Sequence, residues 1–202
     1  MKGRGNPWHD KRGRFCSGPS GRATGYTETE NKTPDNGFVS AKTKKEAESF
    51  TRSMGIKPHF TGMSLENCNA INESVSEVMK SNPSALKFVK NVGSTENICD
   101  QYATEMHTAY RKSLDGSMGE GLTKQEKDQL ADAVTAENRK QLRRNDNTIA
   151  TISSDGSKGS KEITKVLKKY SGLYISKRAE NMNGNDIKTQ IMRILMQERV
   201  HG

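Results

Sequence analysis

Cysteine is scarce in this chain, which limits the kinds of site and compartment that the sequence allows. Only three of its 202 residues are cysteines, Cys16, Cys68 and Cys99. An odd number at wide spacing excludes a complete disulfide framework and a CxxC zinc knuckle, so we expect a reducing compartment. Cys68 and Cys99 lie on or beside predicted helix faces, where a free thiol packs as a small apolar group. We expect core packing for both, and an incidental thiol for Cys16.

Long apolar runs are also absent. No stretch approaches the ~18 continuous apolar residues that a membrane-spanning helix needs, and no apolar segment follows the basic N-terminal residues. We therefore expect neither membrane spanning nor classical secretion. The chain also contains no internal repeat of the length that builds solenoids or propellers.

The residue patterns of several enzyme classes are missing too. The four histidines are scattered along the chain: His9, His59, His107 and His201. The nearest approach to HExxH is Glu105-Met106-His107, which lacks the second imidazole of a helical zinc site. Neither a GxSxG elbow nor a glycine-rich phosphate loop of the GxxxxGK[ST] or GxGxxG type occurs. We therefore predict no catalytic residue, no metal site and no cofactor.

The chain does have an excess of positive charge, concentrated near its N-terminus. Lys+Arg 33 against Asp+Glu 24 gives a net charge of +9, which favours nucleic acid, anionic lipid or an acidic protein surface as partner. The first 22 residues contain six cations and a single acid, Asp10. Trp8 and Phe15 lie among these cations, where aromatic rings can stack on bases while arginines neutralise phosphate. The predicted partner-binding residues of this segment are Lys2, Arg4, Trp8, His9, Lys11, Arg12, Arg14, Phe15 and Arg22.

Composition divides the chain into two parts. Residues 1–40 are rich in Gly, Pro, Ser, Thr and Asn and poor in aliphatic residues. Such a segment buries too little surface to offset an ordering cost of roughly 1–2 kcal/mol per residue, so we predict an extended or disordered basic arm. Residues 41–202 are predicted to form one compact α-rich domain.

Apolar periodicity and capping residues predict a helix-dominated α+β fold of about five to six helices with at most a small sheet. Helices are predicted to begin at Thr43, Ser64, Ser94 or Thr95, Thr123, and Asn185 or Asp186, and a further helix is marked by residues 163–174, interrupted or ended around Gly172. Short strands are predicted at 85–92, from alternating apolar residues, and at 148–153, from β-branched content.

A second basic cluster lies on the helix predicted to begin at Thr123. Residues four apart share a helix face, so Arg139 with Arg143 and Lys140 with Arg144 form a cationic ridge that can follow phosphates without reading bases. The favoured alternative is a solvated face whose charge is balanced by acids on the preceding turns: Glu126, Asp128, Asp132 and Glu137.

Two stretches resemble known phage proteins. Residues 6–18, NPWHDKRGRFCSG, resemble the HDxxGRFxSG segment of tailed-bacteriophage head and portal-region proteins, matching at His9, Asp10, Gly13, Arg14, Phe15, Ser17 and Gly18. Residues 41–95 are similar to the opening of a domain of phage minor-head-associated proteins and the prophage effectors fused to them. The shared elements are a first helix, a GxxLExxNxIN helix and a GST turn, with matches at Gly62, Leu65, Glu66, Asn69, Ile71, Asn72, Gly93, Ser94 and Thr95.

In that family a zinc-peptidase or other effector half follows, but residues 161–200 contain no histidine, so no catalytic residue is transferred. The resemblance implies a protein made in the host cytoplasm and destined for the virion head. Our leading hypothesis is a non-enzymatic head-morphogenesis or structural component whose arm docks on capsid, portal or packaged DNA. The alternatives are a divergent or degenerate prophage effector enzyme and a sequence-nonspecific nucleic-acid-binding protein.

Overall fold

The computed structural model describes residues 37–143, 148–155, 157 and 159–201, with side chains up to residue 197. Six α-helices and one four-stranded sheet make up most of this described part. The helices are α1 (Lys44–Ser53), α2 (Leu65–Ser81), α3 (Thr95–Leu114), α4 (Lys124–Arg143), α5 (Lys161–Tyr170) and α6 (Gly184–His201). The strands are β1 (Lys57–His59), β2 (Asn91–Ser94), β3 (Ile149–Ile152) and β4 (Gly172–Ile175). The helix-dominated α+β prediction is confirmed.

Side-chain caps fix where most of the helices begin. The Thr43 hydroxyl accepts a hydrogen bond from the Glu46 backbone N–H at 3.1 Å, and Ser64 accepts one from Asn67 at 3.1 Å. Ser94 caps α3, and Thr123 accepts from the Glu126 N–H at the start of α4. Each cap supplies an acceptor for an N–H group that has no partner inside its own helix. These four predicted helix starts are therefore confirmed.

The sheet has the order β1-β2-β4-β3. Strands β1, β2 and β4 run parallel, whereas β3 pairs antiparallel with β4 at the sheet edge. Gly93 allows the close approach of β1 and β2, because a Cβ atom at this position would overlap the backbone carbonyl of His59. Because β1, β2 and β4 are parallel neighbours, their amino ends lie side by side, as do their carboxyl ends.

Each face of the sheet carries its own apolar core. Successive residues of a strand point to opposite faces, so Leu173 and Ile175 pack towards α1, α2 and α6, whereas Tyr174 packs towards α3 and α5. The first core is aliphatic and includes Phe50, Ile71, Val75, Ile187, Ile191 and Leu195. The second contains Tyr102, Tyr170 and Tyr174 together with Ile98 and Met106. One thin sheet thus holds two helical layers apart.

The strands depart most from the sequence prediction. The predicted strand at 85–92 is wrong over most of its length, because Pro83 begins a 3-10 helix to Leu86 and β2 starts only at Asn91. The predicted helix at 163–174 ends at Tyr170, and Tyr174 lies on β4. The β3 prediction is confirmed.

The ordered body also begins earlier than residue 41. Phe38 is buried, and its ring packs edge-on against Phe50 with centroids 5.6 Å apart. The Asn69 side chain exchanges two hydrogen bonds with the backbone of Ala41, at 2.9 and 3.0 Å. The packed body therefore includes Phe38, which lies within the segment 1–40 that the sequence analysis assigned to the arm. Across the described residues, no helix is both long enough and apolar enough to span a membrane.

Candidate functional site

The cationic ridge predicted on α4 faces acids on the neighbouring helix α3. Arg139 Nε lies 3.2 Å from Asp100 Oδ1, and the Arg143 guanidinium lies 3.5 Å from the same carboxylate and 3.7 Å from Glu96. Lys140 is exposed, and Arg144 falls outside the described residues. Two of the four predicted ridge cations are thus engaged by acids on α3.

Two of the four acids expected to balance the ridge, Asp128 and Asp132, contact α3. Asp128 accepts a hydrogen bond from Arg111 Nε at 2.7 Å, and Asp132 lies 2.9 Å from His107 Nε2. Arg111 also contacts Asp115 at 2.7 Å. Hydrogen bonds from Arg111 lower the pKa of the Asp128 and Asp115 carboxyls. The α3–α4 surface is therefore a seam of alternating ion pairs.

The arm residues predicted to bind a partner, from Lys2 to Arg22, lie outside the described residues. The same holds for Cys16 and for the HDxxGRFxSG segment. The cysteines of the body are buried as expected, and burial raises the pKa of Cys68 to about 12 and also raises that of Cys99. Both groups are neutral thiols rather than reactive thiolates at neutral pH.

A polar network that the sequence analysis did not predict lies on the sheet face towards α3 and α5. Its central residue is Asn91, whose Nδ2 donates hydrogen bonds to the carbonyls of Lys169 and Ser171, both at 2.9 Å. This leaves Oδ1 facing His59 Nε2, also at 2.9 Å. Because Oδ1 can only accept, the His59 proton sits on Nε2 and the Nδ1 lone pair is available.

His59 is held in this tautomer at the end of β1. Partial burial lowers the pKa of His59, with a further contribution from the charge of Lys57, and the hydrogen bond to Asn91 only partly opposes them. Asn97 fixes the backbone from the other side by donating to the carbonyls of His59 and Thr61, at 2.7 and 2.8 Å. The imidazole is therefore neutral at pH 7 and ties β1 to β2 and to the end of α5.

A second group of ionisable side chains joins α3 to the C-terminal turn of α5. Glu105 accepts hydrogen bonds from Lys169 Nζ at 2.8 Å and from the Tyr170 hydroxyl. Partial burial alone would raise the pKa of Glu105, but these two hydrogen bonds outweigh it and hold the pKa below its usual value. Burial and the Glu105 contact together raise the pKa of Tyr170. The pair is a carboxylate and a neutral phenol at physiological pH.

These networks can lock elements together, and a neutral imidazole can also accept a proton. No hydroxyl or thiol of residues 37–197 donates a hydrogen bond to His59 Nδ1. Among the described residues, no group of three or more His, Cys, Asp and Glu side chains is arranged to hold a metal ion. The hydrogen bonds of Asn91 to His59, Lys169 and Ser171 connect β1, β2 and the end of α5, which is a positioning role in the sheet.

Sequence reasoning missed Asn91 because an isolated asparagine in the string KNVGS carries no motif. The one available signal was the pair of glycines, Gly93 and Gly172, because glycine inside a strand marks a close approach of another backbone. Comparison with known proteins adds no assignment: no family model, no curated protein and no solved structure matches this chain.

Proposed function

We propose that this protein is a non-enzymatic structural or head-morphogenesis component of a tailed bacteriophage, which docks on the capsid, the portal or packaged DNA through its basic N-terminal arm, predicted over residues 1–40. The observation that carries the proposal is the coincidence of two features in one short segment. Six cations lie in the first 22 residues, and the same segment contains the HDxxGRFxSG match.

The contacts made by side chains of the body support a docking role for the arm. Arg139 and Arg143, which sequence analysis offered as a rival anion-binding site, are engaged by acids of α3. His59 and Asn91 link strands, and Cys68 and Cys99 are neutral and buried. The arm docks by forming many weak contacts along an extended partner surface, at the cost of its own conformational entropy.

The test is incorporation of the protein into phage particles. One variant deletes residues 2–22, and a second keeps the length but replaces the six cations of that segment by glutamine. We expect deletion to abolish incorporation, detected with an antibody in gradient-purified particles, and to leave the thermal unfolding of the body unchanged. The glutamine variant separates charge from motif, since it retains Trp8, Phe15 and most of the HDxxGRFxSG match. Normal incorporation of the deletion variant would contradict the role of the arm.

The effector-enzyme alternative predicts a bound zinc ion, and the same purified protein can be used to test for it. Stoichiometric zinc in the full chain, measured by elemental analysis, would favour a divergent peptidase-like enzyme over a structural component. A metal-free protein that enters particles through its arm would support the proposal above.

A further inference from the structure

Lysines cluster at the amino ends of the three parallel strands, β1, β2 and β4. Three segments lead into and through these strands: residues 49–65, 78–95 and 163–179. They contain ten lysines and arginines and no aspartate or glutamate. Of these ten, Lys177 and Arg178 follow the carboxyl end of β4, and Arg52 and Lys169 pair with Glu48 and Glu105. This bias is invisible in the linear sequence, because the three segments are far apart in the chain and meet only in the sheet.

Backbone hydrogen bonds show how closely the segments meet. The Lys57 N–H donates to the Lys90 carbonyl at 3.0 Å, and the Lys90 N–H donates to Ser171 at 3.2 Å. Ser171 in turn donates to the carbonyl of Lys168 at 3.4 Å. Neighbouring strands lie about 4.8 Å apart, so the starts of β1, β2 and β4 span only ~10 Å.

Four lysines at this end project into solvent with no ion-pair partner among the described residues. They are Lys57, Lys87, Lys90 and Lys168, which we call the strand-end lysines. Glu105 pairs with Lys169 at 2.8 Å, whereas Glu73 and Glu77 share Lys188 at 2.7 and 2.9 Å. None of these acids forms an ion pair with a strand-end lysine, unlike the acids of the α3–α4 seam.

We infer that the strand-end lysines form a second docking surface, on the body itself, which takes the phosphate backbone of duplex DNA. Duplex DNA carries one charge per ~1.7 Å of axis, so a ~10 Å stretch contains about six phosphates, and those on its near side can contact this end of the sheet. Lysine ammonium groups act as point charges, which suits contact with the backbone and not the reading of bases. The inference goes beyond the arm and does not rest on it.

The same surface fits a membrane poorly. Insertion into a bilayer interface needs exposed apolar side chains beside the cations. The exposed large apolar residues of the described part are Met118, Leu130 and Met196, and none lies in the three acid-free segments. Charge without an apolar component favours a hydrated polyanion as occupant.

The test measures binding of the full chain to a fluorescein-labelled 30-base-pair duplex of mixed sequence over a range of salt concentrations. The test variant replaces the strand-end lysines by glutamine. The matched control replaces four other lysines that lie outside these segments and form no ion pair, with the same change in net charge: Lys42, Lys45, Lys124 and Lys161. Both variants should fold, because the replaced groups are on the surface, and circular dichroism verifies this.

Each phosphate contact contributes about 0.9 to the slope of log affinity against log salt, so the test variant, which lacks four lysines, should lose about 3.6 units of slope. The control should keep the wild-type slope to within about one unit. Equal losses in both variants, or no loss in either, would overturn the inference. Loss only when the arm cations are replaced would also overturn it while leaving the arm proposal intact, which is judged by particle incorporation. Binding to phosphatidylserine vesicles in place of DNA would refute the assigned occupant.

Discussion

At the scale of single residues, the side chains that hold this fold together are polar ones placed at the sheet. Asn91 is almost fully buried and satisfies two backbone carbonyls and one imidazole at once. A buried amide with all its partners fixes one arrangement of the backbone, because any other leaves polar groups unpaired. This explains how short strands of three and four residues keep their register.

His59 gives the fold a dependence on pH. Its pKa is lowered in the folded state, so below the ordinary value of about 6.5 the unfolded chain binds a proton that the folded chain resists. Stability is therefore complete above this value and falls as the pH drops from about 6.5 towards 5. We expect His59→Gln to lessen this decrease, as measured by urea denaturation at pH 7.5 and pH 5.5.

The matched control is His107→Gln, which removes a histidine from the exposed α3–α4 seam and leaves the network at Asn91 intact. The control should retain the wild-type decrease in stability. The lower measurement at pH 5.5 keeps Glu105 outside the comparison, because the ordinary pKa of this carboxyl is 4.5 and the fold lowers it further. An unchanged decrease in His59→Gln would refute the assignment.

At the scale of elements, the helices were predictable and the strands largely were not. Capping residues and apolar spacing are local, so Thr43, Ser64 and Thr123 indicated their helices from the sequence alone. Strand β1 consists of Lys57, Pro58 and His59, which have neither alternating apolar residues nor high strand propensity.

Strand β4 was misread for a related reason. Tyr170 and Tyr174 are four apart, the spacing of a helix face, yet Tyr170 ends α5 and Tyr174 belongs to the strand. Both reach the same core because the chain turns at Ser171. The candidate site was less predictable from the sequence than the fold, because Asn91 and the strand-end lysines become neighbours only when distant strands pair.

Helix α6 is the last element of the aliphatic core and should contribute strongly to stability. Ile187, Ile191 and Leu195 are buried at its inner face, whereas Met196 is 48% exposed. We expect Ile191→Ala to lower the free energy of unfolding by about 2–5 kcal/mol through lost burial and a residual cavity. Met196→Ala on the same helix should change it by less than about 0.5 kcal/mol. Similar effects in both, by urea denaturation, would show that α6 does not dock as described.

At the scale of the whole molecule, two cores share one sheet, so they should unfold together. Ile71 on α2 and Ile98 on α3 are equally buried, in opposite cores. Each replacement by alanine should lower stability by about 2–5 kcal/mol and leave a single transition. Far-ultraviolet circular dichroism reports the helices, and the near-ultraviolet signal reports the tyrosines packed on α3 and α5.

The two signals should coincide in wild type and in both variants. Separate midpoints, with the tyrosine signal lost first in Ile98→Ala alone, would mean that the layers are independent units. The sequence offers no means of anticipating this coupling, because it arises from the alternation of Leu173, Tyr174 and Ile175 on a single strand.

That alternation also governs where the chain can change in length. Inserting one residue into β4 would move every following side chain of the strand to the opposite face of the sheet. Aliphatic side chains would then point into the core that contains the tyrosines, and a tyrosine ring would point into the aliphatic core. The turn at residues 115–123 and the described residues of the connection between β3 and α5 carry no such constraint, because neither enters the sheet. Insertions and deletions should therefore accumulate in those two connections, and the four residues of β4 should stay fixed in number.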